Sequence, residues 1–312
     1  MARVTSPGGL PVLADRSRRG QLSGNLVAGE RAPVLIVGAG PAGLTTAITL
    51  ARHGVESVLV ERRPALSGLP RAVSVSTRTM ELMRSWGLEQ EVRAGGVEVQ
   101  WRQWIGRIPM RGSGRLATAV ATLFRAPLWD LLGSRRYCIY SVTHPAADGV
   151  FVPAGRGDRW TYGVVSESAR VSLADYSHDR VTRLIRLGTG LPGLQPQIER
   201  IGAFTFAAQL AERFRSGDAF LVGDAAHRMT PRGGTGMNTA IHGAYDLGWK
   251  LAWVLRGWAE PALLDTYQTE HRPLAAHNVE RSADPAGGAR GAEEELPADL
   301  AGRIPHLWLP AS

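Results

Sequence analysis

From residue 33 onward, short apolar runs alternate with segments whose apolar residues recur at helical spacing. Residues 34–37, Val-Leu-Ile-Val, form a run typical of a parallel strand that is buried on both faces. A glycine-rich turn follows, residues 44–53 have the spacing of a helix, and Gly54 stands where a helix would end. Residues 57–61 form the next predicted strand. The pattern therefore predicts one βαβ unit at the start of the folded chain.

Farther along the chain, apolar runs with short polar connections predict an antiparallel sheet at residues 137–142, 150–152 and 160–165. Another short apolar run, at residues 220–222, predicts a buried strand. Helical spacing predicts further helices at residues 77–86, 171–187, 236–255 and 264–279. Residues 93–126 carry no periodicity from which an element can be placed.

The composition is that of a globular chain with a large core, since 44% of its 312 residues are apolar and 21% are charged. A net charge of +8 raises the question of nucleic acid, but Lys250 is the only lysine and the arginines are scattered. We therefore expect no nucleic-acid partner, and likewise no membrane. Cys138 is the only cysteine, which excludes an internal disulfide and a cysteine-based metal cluster and is compatible with a reducing cytoplasm. We expect a cytoplasmic protein without a metal.

The turn Gly38-Ala39-Gly40-Pro41-Ala42-Gly43 matches the dinucleotide-binding pattern. Gly38 permits the tight turn, Gly40 lets the backbone approach a pyrophosphate, and Gly43 allows close packing of helix on strand. The pyrophosphate would lie at the helix N terminus, where N–H groups and the helix dipole favour negative charge. Glu61 closes the second strand, where its carboxylate would bind an adenosine ribose, so the ligand is FAD or NAD rather than NADP. The alternative is a tight turn that holds no ligand.

A second candidate site follows residues 220–222. Asp224 enters a turn of small residues, beside Ala225 and Ala226, and could hydrogen-bond the ribityl chain of FAD. The glycine-rich turn at residues 233–236 then opens the long predicted helix and presents the positive end of its dipole. The N1–C2=O edge of a flavin suits that position, because reduction makes it negative. This site favours FAD over NAD; the alternative is a turn that only caps the helix, with Asp224 as an N-cap.

Together these motifs resemble the single-component FAD-dependent aromatic hydroxylases of the p-hydroxybenzoate hydroxylase class, and most of all the branch that hydroxylates aromatic polyketides. The resemblance is carried by residues 34–50, by Pro70-Arg71-Ala72 with residues 78–82, by residues 220–257 above all, and by residues 267–273 and 302–306.

The resemblance implies an α/β fold, in which an FAD-binding Rossmann-like domain of the glutathione-reductase type carries an inserted antiparallel β-sheet that binds substrate. We expect a flexible N-terminal extension at residues 1–32, a discontinuous FAD-binding domain at 33–115 and 203–281, a shortened substrate-binding sheet at 116–202, and a tail at 282–312.

The resemblance also implies a set of cofactor-binding residues. They are Gly38, Gly40, Gly43 and Arg71 for the pyrophosphate, Glu61 for the ribose with Arg62 beside it, Asp224 for the ribityl chain, and Pro231, Gly234, Thr235, Gly236, Met237 and Asn238 for the flavin ring. The alternative for Arg71 is a solvated loop arginine.

The activity implied is hydroxylation of a small aromatic or polycyclic substrate. NAD(P)H, as a transient reductant, would reduce the FAD, and O2 would form a flavin C4a-hydroperoxide that transfers a hydroxyl group. The cofactor carries this chemistry, so no side-chain nucleophile is required and no catalytic residue is assigned. Two alternatives are a catalytically impaired flavin-binding relative and a flavin oxidase or dehydrogenase that inserts no oxygen.

The chain departs from that family at several places. Family members usually carry another strand that ends in an Asp-Gly pair. Asp148-Gly149 is the only such pair here, and it lies in the predicted turn between two strands of the antiparallel sheet. Residues 93–125 are too few for the missing strand and helix. Gly243 and Leu69 also replace an aspartate and a histidine that are frequent in the family.

Histidines and aromatic residues are the remaining candidates. His227, His242 and His306 are left without a catalytic role, because no acidic partner can be placed beside them from sequence. Five aromatic residues could line a flat substrate pocket, although core packing is the favoured interpretation: Trp101, Trp104, Trp129, Phe151 and Trp160.

Overall fold

The computed structural model describes residues 2–4, 32–65, 72, 74–97, 100–104, 116–142, 144–166 and 172–284, with only the backbone described at 2–4, 100–104, 116–118 and 165–166. The helices in this part are α1 Pro41–Arg52, α2 Thr77–Ser85, α3 Glu89–Gly95, α4 Leu128–Leu132, α5 His178–Thr189, α6 Gly236–Leu255 and α7 Leu263–Ala283. The strands are β1 Ala2–Val4, β2 Val34–Val37, β3 Ser57–Val60, β4 Gln100–Trp104, β5 Leu116–Arg125, β6 Tyr137–Val142, β7 Gly149–Pro153, β8 Arg159–Ser166, β9 Gln197–Ala207, β10 Gln209–Leu210, β11 Arg215–Ser216, β12 Ala219–Phe220 and β13 His227–Arg228.

The chain divides into two compact units. The first comprises Met1–Leu66, Gln209–Arg228 and Thr235–Val279, and the second comprises Ser67–Ala208, Met229–Gly234 and Glu280–Ser312. The boundary expected at residue 202 falls inside β9, which continues to Ala207 because its whole length pairs with β5. Residues 74–97, which we expected in the FAD-binding domain, group with the sheet.

The first unit contains the predicted βαβ arrangement. Strands β2 and β3 pair in parallel, α1 connects them, and the sheet order is β1-β3-β2. β1 pairs antiparallel with β3, so the expected N-terminal extension has structure at residues 2–4. Ile36 of β2 is buried, but Leu35 is 62% and Val37 80% exposed. The expectation that this strand is buried on both faces is therefore wrong, because no described element covers the face that carries these two side chains.

The first helix ends where the sequence predicts. Gly54 has a φ of +72°, and its N–H donates to the carbonyl of Ala51 at 3.0 Å. The next N–H, of Val55, donates to the carbonyl of Leu50 at 2.9 Å. These two bonds form the helix-ending arrangement that favours glycine, which needs no side chain in the left-handed region.

Helices α1 and α6 cross at very short range. A Cβ placed on Gly248 of α6 would lie only 2.8 Å from the Cβ of Thr49 on α1. Thr49 turns its hydroxyl back to the carbonyl of Thr45 at 2.8 Å, so its polar group stays bonded inside this contact. The two helices can therefore approach at this position only because one of them lacks a side chain.

The second unit is built on a six-stranded sheet of order β4-β6-β7-β8-β5-β9. The predicted antiparallel pairing of β6, β7 and β8 is confirmed, although β4 joins parallel to β6. The sequence pattern missed β5, which pairs antiparallel with both β8 and β9. Its run Leu-Ala-Thr-Ala-Val-Ala-Thr-Leu-Phe is rich in alanine, which is depleted in strands, and its buried side chains occupy both faces.

One face of this sheet packs against α5. The helix begins seven residues later than expected, at a Ser177 hydroxyl that accepts the Arg180 N–H at 3.3 Å. Its residues Val181 and Ile185 enter the aromatic core of the sheet. Trp129, Phe151 and Trp160 belong to that core, which confirms the packing interpretation for these three. The side chains of Trp101 and Trp104 lie outside the described residues.

The strand expected at residues 220–222 is shorter and less buried than predicted. β12 comprises only Ala219 and Phe220, and Leu221 is 38% exposed. The Leu221 carbonyl accepts a hydrogen bond from the Tyr267 hydroxyl at 2.7 Å, so α7 supplies the bond that a neighbouring strand would otherwise supply.

Among the described helices, none is long and apolar enough to cross a membrane.

We expect Gly248→Ala to destabilise the protein. Overpacking typically costs about 1–3 kcal/mol, which exceeds the roughly 1 kcal/mol that alanine gains over glycine in a helix. Gly95→Ala is the matched control, because a Cβ at this α3 position has no heavy atom within 4 Å. Thermal unfolding followed by circular dichroism should show a lower Tm for the first variant only; equal Tm values would contradict the tight crossing.

Candidate cofactor site

The glycine turn after β2 has the geometry that the sequence predicts. Gly38 has a φ of +104°, and its N–H donates to the carbonyl of Val60 at 2.7 Å. A Cβ on Gly43 would lie 2.0 Å from the carbonyl oxygen of Gly38, so any side chain there would break the turn. A Cβ on Gly40 would meet nothing within 4 Å. Space for a ligand therefore lies over Gly40, and the other two glycines close the turn.

The N terminus of α1 follows this turn directly. Gly40 is its N-cap and makes no side-chain capping bond, Pro41 occupies the first helical position, and the first turn contains no acidic residue. The helix dipole therefore presents its positive end without a carboxylate beside it. This arrangement suits an anionic group such as a pyrophosphate.

Glu61 lies against the same turn. Its Oε1 accepts the Arg63 N–H at 2.8 Å and its Oε2 accepts the Ala39 N–H at 2.9 Å. These bonds, that from Arg63 first, hold the pKa of Glu61 below its ordinary value, with a smaller contribution from the Arg62 N–H. The carboxylate is therefore ionised at neutral pH and exposed beside Gly38–Gly43, where a ribose hydroxyl could reach it.

The second candidate turn meets the first in the same unit. Gly223 has a φ of +58°, and a Cβ on it would lie 2.8 Å from the Cβ of Ala42 in the first turn of α1. The same atom would lie 3.5 Å from the Cβ of Ala240 in α6. Gly223 is thus enclosed between the two helices. Two segments about 180 residues apart in sequence therefore converge at the N terminus of α1.

Asp224 projects from this convergence into solvent. It lies in the one-turn 3-10 helix Gly223–Ala225, whose N-cap is Val222 and has no side-chain capping bond. The alternative that Asp224 serves as an N-cap is therefore wrong. Ala226, beside it, is buried. An exposed carboxylate next to small residues fits a hydroxyl-rich chain such as ribityl.

The long helix begins as predicted after a glycine turn. Gly233 and Gly234 have φ values of +75° and +62°, and α6 starts at Gly236 with no side-chain cap and no acidic residue in its first turn. A Cβ on Gly234 would lie 2.9 Å from the Ser74 hydroxyl. The two successive left-handed residues require glycine at this turn.

The predicted flavin-ring residues divide between the two units. Pro231 and Gly234 belong to the second unit, whereas the first contains Thr235, Gly236, Met237 and Asn238. Arg71 and His306 lie outside the described residues. The first unit thus contains Gly38, Gly40, Gly43, Glu61, Arg62, Asp224 and the start of α6.

The histidines near the site do not present a base. His227 is buried, and this burial, opposed by the nearby Asp224 carboxylate, lowers its pKa to about 4. His227 is therefore uncharged at neutral pH and too weak a base for proton abstraction there. His242 is also buried, within α6.

A cluster of charged side chains links α6 to α7. Ligand atoms of Asp246, Glu270 and His271 lie within 4.8 Å of one another, as metal ligands would. However, the Lys250 Nζ lies 2.6 Å from an oxygen of Asp246 and 2.7 Å from one of Glu270. The His271 Nε2 lies 3.2 Å from the same Asp246 oxygen. The buried ammonium group therefore occupies the position that a cation would take.

This ion cluster determines how Asp246 titrates. Burial raises the pKa of its carboxyl, but the bonds from His271 and Lys250 outweigh burial and leave the pKa below the ordinary value. Because the folded-state pKa is lowered, this contribution to stability is complete above the unfolded pKa of about 4 and is lost as the pH falls through the folded value.

Sequence reasoning missed two features of this region. It gave Gly223 no role of its own, although a glycine directly before Asp224 in a predicted turn could have indicated a positive φ. It also left Lys250 unexplained, although a sole lysine within an apolar helix predicts a buried partner.

We expect Lys250→Met to destabilise the protein by about 3 kcal/mol, because it leaves the buried Asp246 charge without its closest partner. The double variant Asp246→Asn with Lys250→Met removes both charges and should recover part of this loss. Urea unfolding at pH 7 measures both effects. A single variant as stable as the wild type would show that the ion pair contributes nothing.

We expect Glu61→Gln to weaken FAD binding about tenfold, equivalent to about 1.4 kcal/mol, because the amide replaces a charged acceptor. Glu260→Gln is the matched control, since this exposed residue lies between α6 and α7 and its carbonyl only closes a turn. Fluorescence titration with FAD gives both Kd values, and unchanged affinity for the Glu61 variant would remove this carboxylate from the site.

Comparison with known proteins agrees with this geometry. A family model described as an FAD binding domain matches residues 31–105 and 94–282. The tetracenomycin A2 monooxygenase-dioxygenase of Streptomyces glaucescens is 29% identical, over 79% of this chain and 66% of its own. The aklavinone 12-hydroxylase DnrF of Streptomyces peucetius is 30% identical, over 80% of this chain and 73% of its own. A crystal structure of aklavinone-11 hydroxylase with FAD and aklavinone has a TM-score of 0.70 and 26% identity, over 91% of this chain and 72% of that one.

The chain spans about two thirds of the length of the curated relatives that it matches. The alignment with the tetracenomycin enzyme covers 371 positions, more than the 312 residues of this chain. The relative therefore contains internal residues that have no counterpart here.

The residues of the first unit fit FAD. There is open space over Gly40, an uncapped helix N terminus, a carboxylate at the ribose position and a second carboxylate at the convergent turn. These features are those that a long dinucleotide with one pyrophosphate and two polyol segments requires. By its motifs, its fold and the family model that spans most of it, the chain belongs to the FAD-binding domain family.

Proposed function

We propose that this protein is an FAD-dependent monooxygenase that hydroxylates an aromatic or polyketide-type substrate with NAD(P)H and O2. The observation that supports it most directly is the contact of Gly223 with Ala42, which places Asp224 at the N terminus of α1. A single extended cofactor is the ligand that needs both turns at once. The named relatives are a tetracenomycin A2 monooxygenase-dioxygenase and an aklavinone 12-hydroxylase, which supports the choice of substrate class.

Different residues of the first unit bind different parts of the cofactor. The N–H groups at the start of α1, beside Gly40, bind the pyrophosphate, and Glu61 accepts hydrogen bonds from the ribose. Arg62 adds positive charge to the pyrophosphate end. Asp224 accepts hydrogen bonds from the ribityl chain.

The start of α6 is the part of the first unit proposed to bind the flavin ring. Bound FAD supplies the redox chemistry, by accepting hydride from NAD(P)H and activating O2. Thr235, Gly236, Met237 and Asn238 would border the ring, and the positive end of the α6 dipole would stabilise negative charge on it. The first turn of α6 contains no acidic residue, so no carboxylate there offsets the positive end of the helix dipole.

No described side chain needs to act as a nucleophile or a base in this scheme. His227 is neutral at the pH of the reaction, because its pKa is about 4. The protein's contribution is therefore to position the two reactants and to exclude water. The sheet of the second unit is proposed to bind the flat substrate.

The test is a visible spectrum of the purified chain with FAD, before and after anaerobic NADPH or NADH, followed by aerobic reaction with aklavinone or tetracenomycin A2. We expect a yellow protein whose absorption near 450 nm, the usual flavin band, is bleached by one of the nicotinamides. Mass spectrometry under ¹⁸O₂ should then show a product that has gained one labelled oxygen atom.

Variants make this experiment specific. Asp224→Asn should lower flavin occupancy, whereas Asp218→Asn, an exposed residue of the β11–β12 turn, should leave it unchanged. A yellow protein that neither nicotinamide bleaches would instead establish a catalytically impaired flavin-binding relative. A bleached protein that consumes substrate without gain of oxygen would establish an oxidase or dehydrogenase, and a colourless protein would refute the cofactor site itself.

A further inference from the structure

The turn that carries Asp224 holds its carboxylate by backbone geometry alone. Within the described part of the chain, no group makes a hydrogen bond or an ion pair with this exposed carboxylate. The Ala226 N–H donates to the Gly223 carbonyl at 2.9 Å and closes the turn. The position of the carboxylate therefore depends on how the chain enters and leaves the turn.

Hydrogen bonds anchor the chain on both sides of this turn. On the exit side, the Ala226 carbonyl accepts the Ala211 N–H at 2.8 Å. On the entry side, the Leu221 N–H donates to the Phe214 carbonyl at 2.9 Å, and the Leu221 carbonyl accepts the Tyr267 hydroxyl at 2.7 Å. The Tyr267 hydroxyl therefore fixes the orientation of the peptide group that leads into the turn.

Tyr267 is well placed to act as a fixed anchor. Its side chain is buried, and its ring centroid lies 6.1 Å from that of Phe214, 6.4 Å from that of Phe220 and 5.5 Å from that of His271. Burial, and after it the Asp246 carboxylate, raises the pKa of the hydroxyl. The hydroxyl therefore remains a donor at neutral pH, on a ring that its neighbours hold in place.

The turn itself has little room in which to absorb a change. A Cβ on Gly223 would lie 2.8 Å from the Cβ of Ala42 and 3.5 Å from that of Ala240, so the backbone is enclosed between α1 and α6. Asp224, the next residue, lies on the exposed side. A change in the direction of the entering chain is therefore passed on to Asp224.

We propose that Tyr267 is a positioning residue for FAD, which acts by holding the Leu221 carbonyl so that the Asp224 carboxylate meets the ribityl hydroxyls. This inference rests on the proposed cofactor site. Side chains behind a binding site determine its affinity when they fix the groups that touch the ligand. The adenosine and pyrophosphate end is independent of this anchor, because Glu61 and the start of α1 bind it.

The experiment removes only the hydroxyl, by Tyr267→Phe in the full chain, and measures the Kd for FAD and for ADP by calorimetry. ADP contains the adenosine and the two phosphates but no ribityl chain. We expect the Kd for FAD to rise about tenfold and the Kd for ADP to change less than twofold. A general loosening of the fold would weaken the binding of both ligands.

Tyr162→Phe is the matched control. The Tyr162 hydroxyl also donates to a backbone carbonyl, that of Ala147 at 2.8 Å, and the residue is equally buried, but it lies in the core of the second unit. Thermal unfolding should show similar losses of Tm for the two variants, since each loses one buried hydrogen bond. The Tyr162 variant should nevertheless bind FAD with the affinity of the wild type.

A double variant tests whether Tyr267 acts through Asp224. Once Asp224→Asn has weakened the contact with the ribityl chain, the added Tyr267→Phe should raise the Kd for FAD less than twofold further. Two residues that act on one contact give such a non-additive result, whereas independent residues multiply their effects.

Three results would overturn the inference: unchanged FAD affinity of the Tyr267 variant, equal loss of FAD and ADP affinity, or fully multiplicative effects in the double variant. In each of these cases the wild type still binds FAD, so the proposed function stands. A wild-type chain that binds no FAD would refute the cofactor site and this inference together. The binding measurements need neither nicotinamide nor O2, so a failure of hydroxylation alone leaves the role of Tyr267 measurable.

Discussion

The contact between Gly223 and Ala42 is the constraint on which the cofactor site depends. It requires a glycine with a φ of +58° on one segment and a small residue in the first turn of α1 on the other. Without this contact, the glycine turn and Asp224 would not be held close to each other, because they are about 180 residues apart in sequence. The close crossing of α1 with α6 at Gly248 and Thr49 fixes the two helices farther along their length.

The sequence was most informative where backbone geometry depends on glycine. Gly38, Gly43 and Gly54 could each be assigned from local pattern, since their positive φ or close approach follows from steric rules that act within a few residues. The βαβ unit and the start of α6 followed from them. Burial was harder to predict, because it depends on neighbours. The exposure of Leu35 and Val37 depends on what lies beside β2, which no local pattern reports.

Two other features also lay beyond sequence reasoning. β5 was missed because alanine-rich segments have little strand propensity of their own, and only pairing with β8 and β9 makes this one a strand. The bond from Lys250 to Glu270 could not be found either, because Glu270 lies on another helix, and its approach follows from how α7 folds back on α6.

Lys250 can report when the interface between α6 and α7 opens. It is the only lysine in the sequence, and its side chain is almost completely buried between two carboxylates. Acylating reagents that seek lysine amines therefore find no exposed lysine on the native molecule, and a reactive one appears when the interface of α6 with α7 opens. The protein thus contains its own chemical reporter of that opening, which a mass spectrometer reads as one added label.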